Sequence, residues 1–160
     1  YSTIAILNEY GEQVMSFYDN KIPVYEFAKV IDTIGKWYNY AFLTVERNSF
    51  GTPILQRLRK DYEYLNLYKH KVFNQQQGKH KLQLGFQTTQ VTKPIMISDF
   101  KEQFELKIIL INCEKTLREM QIFVENDGKT GNKKGENNHD DNVIALALAI
   151  QGIKQSKWYV

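Results

Sequence analysis

Three carboxylates stand where a carboxylate is costly. Glu46 closes the apolar run Phe42-Leu43-Thr44-Val45, which reads as an inner strand, and Asp140-Asp141 immediately precede Val143-Ile144-Ala145-Leu146-Ala147-Leu148-Ala149-Ile150, which reads as a helix apolar nearly all round. Each has an ordinary explanation. Glu46 is within sequence reach of Arg47, Arg57 and Arg59 for a salt bridge, and an acidic pair in a first helical turn, with Asn138 as cap, favours the helix dipole. A shared explanation is that strand-end and helix-start carboxylates converge into an oxygen-rich site for Mg²⁺ or Mn²⁺. Two such ions would activate water and stabilise the leaving oxygen in phosphodiester cleavage.

The elements that must position these groups follow from local signals. Residues 3–7 and 13–18 are β-rich runs around Asn8-Glu9-Tyr10-Gly11, a hairpin pattern. Pro23 opens a helical repeat through Val24, Phe27, Ala28, Ile31, Ile34 and Trp37. Ala41–Glu46 is expected as a strand covered on both faces, and Thr52-Pro53 as a helix start with Thr52 capping. Strands are expected at 65–73, 82–86 and 107–111, and helices at 94–106, 112–123 and 139–155. Residues 125–139 read as a loop or loose hairpin. Strands alternating with helices after a hairpin imply one α/β domain over 1–160, a mixed β-sheet with helices on both faces.

Other motifs exclude functions. Asp127-Gly128-Lys129-Thr130 lacks the upstream glycine of a phosphate-binding loop, since Phe123 occupies that position. His70, His80, His139 and Cys113 have no zinc-ligand spacing, and a single cysteine permits no internal disulfide. No run is apolar enough to span a bilayer. The net charge of +3 is small, but Lys69-His70-Lys71 and Lys79-His80-Lys81 are clustered. They form either a solvated hairpin or a phosphate-contacting surface, to which Lys129, Lys133 and Lys134 would add.

Three segments, VERNSFGTPILQRLRKDYEYLNLY (45–68), GFQTTQVTKPIMISDF (85–100) and HDDNVIALALAI (139–150), occur in this order. Together they resemble the C-terminal nuclease domain of the large terminase subunits of tailed bacteriophages. The resemblance implies an RNase H-like fold and a metal-dependent endonuclease that cuts concatemeric double-stranded viral DNA during genome packaging. It implies two Mg²⁺ or Mn²⁺ ions and, as metal ligands, Glu46 and one or both of Asp140 and Asp141. Asn48 and Gly51 match the turn after the glutamate and would meet a phosphate. Lys93, in the polar segment before the next helix, is expected to compensate charge or touch DNA, and Lys69, Lys71, Lys79 and Lys81 to touch the phosphate backbone.

Implied partners are double-stranded DNA, the ATPase domain of the same polypeptide, the portal protein and the small terminase subunit, in the host cell cytoplasm and away from membranes. The chain begins at Tyr1 without methionine and reads as a fragment. The family's first-strand aspartate and its ATPase motor would lie outside it, and Asp19 and Asp32 are poor substitutes. A chain lacking that aspartate is expected to bind metal weakly. Two alternatives remain at this stage: a Holliday-junction resolvase or transposase-like nuclease, and a non-catalytic DNA-binding or docking module.

Overall fold

Alternating β-branched and aromatic residues on either side of a glycine able to adopt positive φ give the first element pair. Strands β1 (Ser2–Leu7) and β2 (Gln13–Asp19) are antiparallel, with Gly11 at φ 81° in the turn. In the computed structural model residues 1–74, 78–126, 129–132 and 139–156 are described. They form six strands and five helices: α1 (Val24–Trp37), α2 (Gly51–Lys60), β3 (Lys69–Asn74), β4 (Lys79–Leu84), α3 (Thr92–Glu105), α4 (Glu114–Ile122), β5 (Phe123–Asn126), β6 (Lys129–Asn132) and α5 (Asp141–Ser156). Asn138, Lys133, Lys134 and Gly128 lie outside the described residues, so the expected Asn138 cap does too.

The chain divides into two units, residues 1–21 with 89–151 and residues 22–88 with 152–160. In the first, β1–β2 and β5–β6 are separate hairpins. The core draws on Met96 and Phe100 of α3, Ile109 and Ile111, and Val143, Leu146, Ala147 and Ile150 of α5, all buried. In the second, α1 packs on α2. Phe27, Ala28, Ile31 and Gly35 make the buried stripe of α1, and Ile54, Leu55 and Leu58 that of α2.

The expectation of one mixed RNase H-like sheet is wrong. The strands form three separate two-stranded antiparallel pairs, and the runs that should join them make single bridges. Ala41–Glu46 changes partner along its length. Leu43 bridges Leu67, through Leu43 N–H to the Asn66 carbonyl and Tyr68 N–H to the Leu43 carbonyl. Glu46 bridges Phe86, through Phe86 N–H to the Val45 carbonyl and Arg47 N–H to the Phe86 carbonyl. A ladder needs consecutive pairs on one neighbour, and this segment never runs beside one strand for long enough. The run at 107–111 begins with Lys107 at φ 57° and bridges β2's approach at Leu110, opposite Glu12. Among the described residues, no helix is long and apolar enough to cross a membrane.

Candidate functional site

The turn after Glu46 is built by one asparagine. Asn48 Oδ1 accepts from Phe50 N–H (3.0 Å) and Gly51 N–H (2.7 Å), closing the chain into the first turn of α2. Asn48 Nδ2 donates to Glu46 Oε2 at 2.8 Å. Thr52, the expected cap, instead lies inside the helix and donates its hydroxyl to the Asn48 carbonyl. Gly51 is required by close approach: a Cβ there would overlap the Glu46 carbonyl oxygen.

The expected arginine partners of Glu46 are engaged elsewhere or make no pair with it. Arg47 donates to the Leu84 carbonyl and Arg57 to Asp61, and Glu46 pairs with no arginine among the described residues. Among the described residues its carboxylate is held by Asn48.

In the first unit the start of α5 is organised by a residue that sequence reasoning missed. Glu119 of α4 is buried and accepts from the backbone N–H groups of Asn142 (2.8 Å) and Val143 (3.4 Å) and from the Asn142 side-chain amide. Glu119 therefore caps the first turn of α5 from another helix. Its charge is stabilised by those N–H donors and the helix N-terminus. Asn142 extends the contact, since Ser16 Oγ of β2 reaches Asn142 Oδ1 at 3.5 Å. A surface-looking Arg118-Glu119 pair gave no sign of this role, because the pairing spans 23 residues.

With the cap supplied by Glu119, the two aspartate side chains are left for other partners. Asp140 contributes its backbone carbonyl to Ile144 N–H, while its carboxylate forms an ion pair with Lys93 at 3.5 Å, both side chains about a third exposed. Asp141 Oδ2 lies 3.9 Å from His139 Nδ1. Burial, and then the Asp140 charge, hold Asp141 above the usual carboxylate range, against the opposing pull of the Tyr1 amino group, His139 and Lys115.

Aromatic groups close one side. Tyr1 stacks on Tyr18 at 4.7 Å and meets the His139 ring edge-on at 4.2 Å, while the Lys115 ammonium sits over the Tyr18 ring. Burial, then the Tyr1 hydroxyl and the nearby Asp141 and Glu119 charges, push the Tyr18 phenol well above its ordinary value.

Each half of the expected ligand set can thus be described within its own unit: Asp140 and Asp141 in the first, Glu46 in the second. No group of three or more His, Cys, Asp or Glu side chains suited to a metal ion occurs among the described residues. Asp140 and Asp141 are of the donor type that Mg²⁺ or Mn²⁺ takes, since such ions bind through one or two carboxylates and keep several waters. Both carboxylates are hard oxygen donors, and among the described residues neither accepts a backbone hydrogen bond.

The remaining site candidates lie on the β3–β4 hairpin of the second unit. Lys69, Lys71, Lys79 and Lys81 are exposed, and none pairs with a carboxylate among the described residues. No family model matches the chain, and no curated protein matches it.

Proposed function

We propose that this chain is a metal-dependent endodeoxyribonuclease of a viral DNA-packaging system, with Asp140 and Asp141 of the first unit as metal ligands and Glu46 of the second unit as a separate candidate ligand. The observation that carries this reading is the Glu119 cap. It meets the Asn142 and Val143 amides without either aspartate side chain, and Asp141 is held there at an electrostatic cost. Residues that are unfavourable for folding and not needed for it are commonly retained for function.

In this reading Asp140 and Asp141 bind the ions, Lys93 neutralises Asp140 until a cation replaces it, and Glu119 with Asn142 fixes the first turn of α5. Bound Mg²⁺ or Mn²⁺ supplies Lewis acidity at the phosphate oxygens and lowers the pKa of a water. Asn48 donates to one of the Glu46 carboxylate oxygens, Oε2. The hairpin lysines contribute sequence-independent attraction for the phosphate backbone.

The test is Mn²⁺-dependent nicking of supercoiled plasmid by the chain, with Asp141→Asn and Glu46→Gln assayed separately. Loss of nicking in Asp141→Asn is expected. Nicking equal to that of the unsubstituted chain, or none in the unsubstituted chain, overturns the assignment. A non-catalytic DNA-binding module is the competing reading. The lysine-rich hairpin favours it, because that surface serves binding whether or not the carboxylates hold metal.

A further inference from the structure

The β3–β4 hairpin carries more than charge. Residues 69–84 include four lysines and two histidines and no acidic residue. In the antiparallel register Lys69 faces Leu84, Lys71 faces Leu82, and Phe73 faces His80, so these six residues share one side of the ribbon. His70 and Val72 belong to the other side. There His70 packs edge-on against Phe86 at 5.4 Å, and burial lowers its pKa, so His70 is not part of the basic surface.

On the first side, Phe73 is 54% exposed and Leu82 57% exposed, with the His80 ring meeting Phe73 edge-on at 5.3 Å. Phe73 and Leu82 thus lie exposed on the same side as Lys69 and Lys71, which pair with no carboxylate among the described residues. The base of the hairpin is nevertheless fixed: Gln155 of α5 accepts from Lys69 N–H and donates to the Lys69 carbonyl.

We infer that this face of the hairpin binds an unpaired segment of DNA, with Phe73 stacking on a base and Lys69 and Lys71 contacting the adjoining phosphates. Duplex DNA offers a lysine surface its phosphates but keeps its base faces stacked, leaving Phe73 without a partner. A single strand offers both groups at once. Aromatic side chains beside cationic ones are the recurrent means of holding single strands without reading sequence. The charge is complementary to a polyanion, and the exposed ring selects the unpaired form. This inference rests on the nucleic-acid part of the function proposed above, and not on its metal chemistry.

Fluorescence anisotropy in EDTA, with a labelled oligo-dT strand and a blunt duplex of equal length, tests it on the whole chain. Phe73→Ala is expected to weaken oligo-dT binding by about tenfold, the scale of one lost base stack, and to leave duplex binding unchanged. Phe73→Trp should restore oligo-dT affinity. Lys71→Gln should weaken both probes and reduce the salt dependence of binding by about one counterion. Unchanged oligo-dT affinity in Phe73→Ala, or an equal loss for both probes, overturns the inference. Binding in EDTA and Mn²⁺-dependent nicking are separate readouts, so a failed nuclease assignment would leave this result intact, and the reverse. Phe73 is exposed, so a folding defect does not mask the outcome, and far-UV circular dichroism of the variant verifies this.

Discussion

Replacing Glu119 by alanine removes, in one step, the acceptor for the Asn142 and Val143 amides and for the Asn142 side chain. Loss of an N-cap acceptor costs about 1 kcal/mol, and loss of a hydrogen bond to a charged group about 1.5–3 kcal/mol. Glu119 is only 6% exposed, so water cannot readily replace the carboxylate. The first turn of α5 should therefore lose roughly 3 kcal/mol, which is about a hundredfold in its opening equilibrium. The assay is native-state amide hydrogen exchange at Asn142 and Val143, read residue by residue. Exchange about a hundredfold faster is expected in Glu119→Ala, and an intermediate increase in Glu119→Gln, which keeps one carbonyl acceptor. Asp141→Ala should change these two amides little, because its side chain takes no backbone N–H. Unchanged exchange in Glu119→Ala would refute the capping role. So would an effect in Asp141→Ala as large as that in Glu119→Ala, since the aspartate would then be the cap.

Three further outcomes follow from the same geometry. Because burial holds Asp141 above its ordinary range, the folded chain binds this proton more tightly than the unfolded chain. The resulting destabilisation is present above the folded pKa and relieved as pH falls through it. Asp141→Asn should thus raise Tm at neutral pH, by an amount that shrinks on acidification in thermal melts. Gly51→Ala should lower Tm by about 4–8 °C, corresponding to about 2 kcal/mol of forced displacement where its Cβ meets the Glu46 carbonyl. Burial raises the Cys113 thiol pKa, but hydrogen bonds from Thr116, Ser16 and the Lys115 backbone outweigh it and the net shift is downward. The pH profile of iodoacetamide alkylation should have its midpoint below that of an ordinary thiol, moving upward in Ser16→Ala.

What could be read from the sequence was local. Gly11 between two β-rich runs gave the first hairpin, Pro23 and a 3.6-residue repeat gave α1, and the apolar run after Asp141 gave most of α5. Each signal lies within a few residues of the feature it specifies. The sheet was not legible, because Ala41–Glu46 reads as an inner strand by composition while its hydrogen bonds are divided between Leu67 and Phe86. Apolar runs specify burial, and they do not specify one continuous partner.

The candidate site shows the same division. The placement of Asp140 and Asp141 at the head of α5 was evident, as was the turn from Glu46 to Gly51. The cap from Glu119, the exchange of Thr52 for Asn48 at α2, and Asp140 as the partner of Lys93 were not evident. Two of these three depend on contacts across 23 and 47 residues, and the third on which of two nearby polar side chains reaches the free amides.

The most direct measurement is Mn²⁺ binding followed by electron paramagnetic resonance, titrating the unsubstituted chain, Asp140→Asn, Asp141→Asn and Glu46→Gln. If the aspartates at the head of α5 hold the ion, the unsubstituted chain binds Mn²⁺ and Asp141→Asn weakens binding at least about tenfold, the effect of removing one charged ligand. Equal Mn²⁺ affinity in the unsubstituted chain and Asp141→Asn would contradict the account.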